Sequence, residues 1–265
     1  MGWTMKRTIE GKTKNNSARV ACEDKRQIEH GRSFYEMYVK RPLDIVCALS
    51  AIVFFCWLYA IIAILVKIKL GSPVIFKQMR PGLNEKLFPL YKFRTMTDER
   101  DQNGELLPDE VRLTKFGKWL RSTSLDELPE AFNIFNGTMS VIGPRPQLVR
   151  DMVFMTPEQR RRHSVKPGLS GLAQVNGRNG ISWEEKLEWD LKYIERITFI
   201  GDLKIIGQTV MKAFIKQEGI VRQGTASDVD FGDYLLSKGA VSQIEYDRRQ
   251  DEAKKILREK YETAK

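Results

Sequence analysis

The segment of this sequence best equipped for chemistry is Arg121-Ser-Thr-Ser-Leu-Asp-Glu-Leu-Pro129. Ser124 followed three residues later by Glu127 is the S-x-x-E pattern of a capping box, which puts Asp126 and Glu127 in the first turn of a helix. There the unpaired amides and the helix dipole favour ionised carboxylates. An ionised aspartate is a competent nucleophile toward phosphorus, and a neighbouring carboxylate can hold Mg²⁺. Acidic residues in a first turn also stabilise helices with no further role. On this segment alone, that plainer explanation is favoured.

Cations elsewhere shift the balance. Lys92 and Arg94 fall on an expected strand, Arg121 lies five residues before Asp126, and Arg145 is set between Pro144 and Pro146. Arginine grips phosphate oxygens with a bidentate fork, and two flanking prolines fix its direction at low entropic cost. With an acidic pair, such cations suit phosphoryl chemistry, where positioning and charge neutralisation do most of the work. The sequence contains no GxxxxGK[ST] loop, and no GxGxxG follows a strand, so neither a P-loop nor a dinucleotide-binding Rossmann domain is supported. The three cysteines, Cys22, Cys47 and Cys56, lack metal-site spacing and read as inert thiols. His163 lies in the basic cluster Arg160–His163 and reads as part of a solvated or lipid-facing patch. Trp183, Trp189 and Tyr193 share helical spacing and read as core or interfacial anchors.

The elements that must position these groups can be read in outline. The chain has 265 residues, 42% of them hydrophobic, with 44 basic against 34 acidic side chains for a net charge of +10. That composition excludes a disordered chain and a polytopic membrane protein, and it points to an anionic partner. Ile45–Val66 is a run of 22 residues without a formal charge. As one helix it would be about 33 Å long, enough to cross a bilayer. Lys40 and Arg41 precede it, and Lys67 and Lys69 follow it. Positive charge at both ends fits a helix that enters and leaves by the same face. Residues 1–33 form a polar, basic arm. Strands are expected over Ser72–Phe76, Phe88–Met96 and Met139–Ile142. Helices are expected over Thr114–Ser122, Leu125–Phe135, Thr156–His163, Trp183–Thr198, Gly201–Lys216 and Ser242–Lys265, with loop from Gly219 to the last of these.

Six blocks, in order, then carry a resemblance. They are Lys40-Arg-Pro-Leu-Asp44, Gln78-Met-Arg-Pro-Gly82, Tyr91-Lys-Phe-Arg-Thr-Met96, Ser124-Leu-Asp-Glu-Leu-Pro129, Ser140-Val-Ile-Gly-Pro-Arg-Pro146 and the Lys166-Pro-Gly to Gly177-Arg178 stretch. The chain resembles the bacterial monotopic phosphoglycosyl transferases, the bacterial sugar transferase family, over roughly residues 38–220. The resemblance implies a two-step reaction. Asp126 attacks the β-phosphate of a UDP-sugar, N-acetylated by preference, and expels UMP; polyprenol (undecaprenyl) phosphate then takes the phosphosugar from the aspartate. It implies that Asp126 and Glu127 are catalytic and bind Mg²⁺, and that Lys92, Arg121 and Arg145, held by Pro144 and Pro146, bind phosphate. Arg178 and Asp190 fall where the family contacts substrate. The implied setting is the bacterial inner membrane, with the catalytic part on the cytoplasmic face and anionic lipids as further partners. A homodimer is compatible with the sequence, and nucleic acid is not expected.

One departure concerns the hydrophobic helix. Short family members break it with a Ser-Pro pair, whereas here those positions are Cys56-Trp57 and the run contains no proline. The basic flanks still favour re-entry over a span. The expected fold is therefore α+β. A small sheet with several helices, some amphipathic and on the membrane surface, stands behind one N-terminal membrane-embedded helix. The expected divisions are residues 1–33, 34–70, 71–220 and 221–265. Two other readings, a non-catalytic membrane-tethered scaffold and a nucleic-acid-binding protein, are weaker. The intact acidic pair opposes the first, and no nucleic-acid-binding signature supports the second.

Overall fold

The uncharged run does not form one rod. Residues 33–177, 180–212 and 229–262 are described by a computed structural model. The basic arm therefore falls almost wholly outside the described residues. After a wider helical turn at Tyr35–Val39, the chain forms α1, Lys40–Phe54, and α2, Cys56–Leu70. The two are bent by 64° at Phe55. This corrects the expectation of a single helix. Neither helix alone is long and apolar enough to cross a membrane, though the bent pair passes that test by length and composition.

Packing accounts for the bend where proline does not. On α1, Asp44 is buried and accepts the Ser140 hydroxyl at 3.0 Å and the Val141 amide at 2.9 Å. Ala48 packs with Phe88, Leu90, Ile134 and Met139. On α2, Ile62, Val66 and Leu70 pack on Phe93 and Leu120. The Tyr59 hydroxyl donates to the Leu128 carbonyl at 2.6 Å. Each helix thus has its own docking face on the body, and burial of those faces holds the break at Phe55. Val46, Val53, Phe54, Trp57, Ile64 and Ile68 remain exposed on the outer faces.

The body is α+β, with two small sheets instead of one. β1, Ile75–Pro81, pairs antiparallel with β2, Leu87–Phe93, from Ile75 opposite Phe93 to Pro81 opposite Leu87. The first strand therefore starts later than Ser72 and runs through the expected turn at Arg80. The turn itself is Leu83–Glu85, where Asn84 and Glu85 adopt left-handed backbone. After α3, Lys115–Ser122, and α4, Glu130–Phe135, the short strand β3, Ser140–Ile142, pairs parallel with β4, Gly168–Ser170. Gly143 and Gly168 pass backbone to backbone here. A Cβ on Gly168 would lie 2.0 Å from the Gly143 nitrogen.

The remaining helices wrap this frame. α5 is Val149–Met152, α6 is Trp183–Glu195 and α7 is Phe199–Met211. Trp183 and Tyr193 are buried, as expected of core anchors. Asp202 on α7 accepts the hydroxyls of Tyr35 and Tyr193, each at 2.9 Å, tying the start of the first helices to α6. Phe199, Ile200 and Leu203 stay exposed along α7. The segment expected to be loop contains a helix, α8, Phe231–Ser237, whose short apolar pattern is completed only by packing on Trp183. The last helix, α9, is Gln243–Glu262. Residues 213–228, including the end expected for α7, lie outside the described residues.

Asn133, fully buried on α4, fastens that helix to β2. Its amide donates to the Pro89 carbonyl at 2.8 Å, and its oxygen accepts the Tyr91 amide at 3.0 Å. Replacing Asn133 with Ala strands both backbone groups and should cost about 2 kcal/mol. A lower midpoint in denaturant unfolding of the detergent-solubilised chain checks this.

Candidate active site

The acidic pair sits on a tight turn and not at a helix start. Leu125–Glu127 is one 3₁₀ turn, and α4 begins only after Pro129. Ser124 is left-handed, at φ 55°, and its side chain makes no capping bond. The expected capping box is therefore absent, because the Glu127 side chain is drawn elsewhere. Leu125 and Leu128 pack toward the α2 cluster, which leaves the carboxylates between them turned to the body.

Glu127 is the hub. Its Oε1 accepts Lys92 Nζ at 2.8 Å and Arg145 Nη2 at 2.7 Å. Lys92 comes from β2 and also reaches Glu130 Oε1 at 3.2 Å. Arg145 stands between Pro144 and Pro146, both buried, on an arm that starts at Gly143. Arg121, at the end of α3, donates from Nε to the Thr95 hydroxyl at 3.0 Å and acts on Asp126 as a nearby charge. The structure thus brings Lys92, Arg121, Asp126, Glu127 and Arg145 together.

The electrostatics split the pair. Burial and the adjacent Glu127 charge push the Asp126 carboxyl up to about 6, against the pull of Lys92, Arg121 and Arg145. Burial works against the Glu127 charge too, but Arg145 and Lys92 outweigh it and hold Glu127 well below the usual carboxylate range. Burial and Glu127 raise Glu130 to about 7, although Lys92 opposes them. Arg145 is raised by Glu127 in turn. Neighbouring carboxylates pushed apart in this way suit different roles. Glu127 is a fixed charge that orients cations. Asp126 is the less committed group, ionised near neutral pH, with no hydrogen bond or ion pair to its side chain among the described residues.

Two expected substrate contacts stand differently. Asp190 does not line the cluster: it is buried on α6 and bound by Arg162 through Nε at 2.9 Å and Nη2 at 2.6 Å. Arg162 Nη2 also donates to the Arg145 carbonyl at 2.6 Å. Asp190 therefore reaches the site through Arg162 and the arm. Arg178 lies outside the described residues. The basic patch expected at Arg160–His163 is likewise corrected, since Arg162 and His163 are buried and His163 faces Glu85. A buried arginine needs a partner, and here the partner is 28 residues away in sequence. Sequence reading missed Arg80, Glu130 and Arg162. Glu130 could have been found from its three-residue spacing to Glu127. Arg162 could not, because a run of three arginines hides which one turns inward.

With this geometry in view, the chain belongs to the bacterial sugar transferase family, whose sequence profile matches residues 35–216. It is 52% identical over 190 residues to the uncharacterized sugar transferase EpsL of Bacillus subtilis (strain 168), covering 69% of this chain and 91% of that one. It is 41% identical over 196 residues to a UDP-glucose:undecaprenyl-phosphate glucose-1-phosphate transferase of Klebsiella pneumoniae, covering 68% of this chain and 41% of that one. A UDP-N-acetylgalactosamine-undecaprenyl-phosphate N-acetylgalactosaminephosphotransferase of Aeromonas hydrophila is 36% identical over 181 residues, 65% of this chain and 43% of that one. The chain thus spans less than half the length of the latter two.

Removing the Glu127 charge should let Asp126 ionise more easily, because a like charge is lost while Lys92 and Arg145 remain. In Glu127→Gln the Asp126 carboxyl should titrate well below about 6. Carboxyl ¹³C NMR titration of the two proteins checks this.

Proposed function

We propose that this protein transfers a sugar phosphate from a UDP-sugar to a polyprenol phosphate, undecaprenyl phosphate in particular, and releases UMP. The observation that carries the reading is the divided acidic pair, with Glu127 clamped by Lys92 and Arg145 while Asp126 feels the charges of Lys92, Arg121 and Arg145 without an ion pair among the described residues. The undecaprenyl-phosphate transfers named for the Klebsiella and Aeromonas relatives support it.

In the first step an Asp126 carboxylate oxygen attacks the β-phosphorus of the donor. The new bond is phosphorus to carboxylate oxygen. The bond that breaks joins the β-phosphorus to the bridging oxygen, which leaves with UMP and its electron pair. In the second step a phosphate oxygen of the polyprenol phosphate attacks the same phosphorus. The aspartyl bond breaks, Asp126 is regenerated as a carboxylate, and the product is a polyprenol diphosphosugar. Arg145, Lys92 and Arg121 hold the phosphate oxygens and neutralise charge as it moves. Both of the bonds to Glu127 fall on Oε1, so the pair still offers hard oxygen donors of the kind Mg²⁺ takes alongside substrate phosphates. Asp126 and Glu127 would hold Mg²⁺, and when bound it supplies charge neutralisation at the donor diphosphate.

The lipid acceptor sets the location. The bent pair α1–α2 enters one leaflet and returns, with Lys40, Arg41, Lys67 and Lys69 at the headgroups, on the cytoplasmic face of the bacterial inner membrane. The exposed apolar side of α7 lies on the same surface. N-acetylated UDP-sugars are the first donors to try, and UDP-glucose is next because of the relatives named for it.

UMP release from a panel of UDP-sugars, with and without undecaprenyl phosphate and Mg²⁺, tests the reading. Turnover should depend on the lipid and fall by about a thousandfold or more in Asp126→Asn. A turnover unchanged in that variant removes Asp126 as nucleophile. In the parent chain the rate should rise with pH through about 6, as Asp126 loses its proton, and level off above. Intact-mass analysis should show a phosphosugar adduct on the parent chain when donor is present without acceptor.

A further inference from the structure

The family match stops at residue 216, yet Val229–Glu262 is packed closely onto the body. It grips the short stretch that follows Pro146. Trp183 Nε1 donates to the Val229 carbonyl at 2.9 Å, and the Phe231 ring lies 5.0 Å from the Trp183 ring. Gly232 approaches Phe154 so closely that a Cβ there would lie 2.6 Å from the ring. Arg249 on α9 donates to the Val153 carbonyl and lies over the Phe154 ring. Arg150 pairs with Asp230 and Asp233.

The centre of this contact is Asp151, which is 1% exposed. Its Oδ1 accepts the Phe231 amide at 2.9 Å, and its Oδ2 accepts the Leu148 amide at 3.1 Å. One buried carboxylate therefore joins the C-terminal segment to a residue three places beyond Arg145. Arg80 adds a second tie. It donates to the Pro146 carbonyl at 3.3 Å, and the Asp151 and Asp230 charges support its guanidinium against burial and against Arg145. At its upstream end the Gly143 amide donates to the Ser170 carbonyl at 2.9 Å, and Arg162 holds the Arg145 carbonyl in between. Gly143–Leu148 is thus clamped on both sides, and the Asp151 carboxylate of the downstream clamp is itself held by Phe231, beyond the family match.

We infer that Val229–Glu262 is a brace for the arm that carries Arg145, with Asp151 as the positioning residue through which it acts. This rests on the reading of Arg145 as a group that binds the donor's phosphates. A brace of this kind sets how well the donor is held, because a side chain ordered in advance pays less on binding.

The test uses the full chain with Gly232→Val, whose added atoms collide with Phe154, and with Arg150→Gln, a milder change at a half-exposed side chain. Both should speed amide hydrogen exchange at Leu148 and leave the turn that holds Asp126 unchanged. Gly232→Val should also raise the KM for the UDP-sugar about tenfold with little change in kcat. In an Arg145→Lys background the same substitution should add much less, since both act through one side chain. The brace is overturned by unchanged Leu148 exchange in both variants, by faster exchange with no change in KM, or by a KM effect that multiplies in full on Arg145→Lys. If the parent chain releases no UMP from any donor, the proposed function fails separately. Leu148 exchange then decides the brace by itself.

Discussion

The site depends on one carboxylate oxygen. Glu127 Oε1 receives Lys92 from β2 and Arg145 from the arm, so a single atom joins two parts of the fold that do not otherwise share a sheet. Three consequences follow from that contact. The turn at Leu125–Glu127 cannot close as a capped helix, because its third residue points away from its own backbone. The two cations are held close together on that one oxygen. Burial and the Glu127 charge raise the neighbouring Asp126 carboxyl to about 6.

Around this contact the fold is organised by rigid crossings. Gly143 and Gly168 let two backbones touch, which fixes where the arm begins. Arg162, held by Asp190 in a buried pair, binds the carbonyl of Arg145 itself. Such a pair is costly to bury and costly to break. Its use here is geometric, since Arg145 must point to one place while its side chain remains partly open to solvent.

What the sequence revealed tracks how local each feature is. The acidic pair and the proline-framed arginine stood out because their residue types are unusual for the places they occupy. Most helices and strands were legible to within a few residues, because their apolar spacing is local. The failures were non-local. The break at Phe55 has no proline or glycine to announce it and comes from two separate docking faces. Arg162 looks like one surface cation among three until Asp190 is brought to it. Ser124 and Glu127 match a capping box letter by letter, yet Glu127 is bound by cations 35 and 18 residues away. α8 is seven residues long and has too few apolar positions to show a period.

The Asp44 contact bears on the order in which the protein is made. Its partners, Ser140 and Val141, lie 96 and 97 residues further along. During synthesis the helix pair therefore leaves the ribosome well before the strand that donates hydrogen bonds to its buried acid. Until then the Asp44 carboxylate keeps its hydrogen bonds to water, so the start of α1 cannot settle into its docked position. Translation order therefore makes the docking of α1 a late event, which waits until β3 has been made.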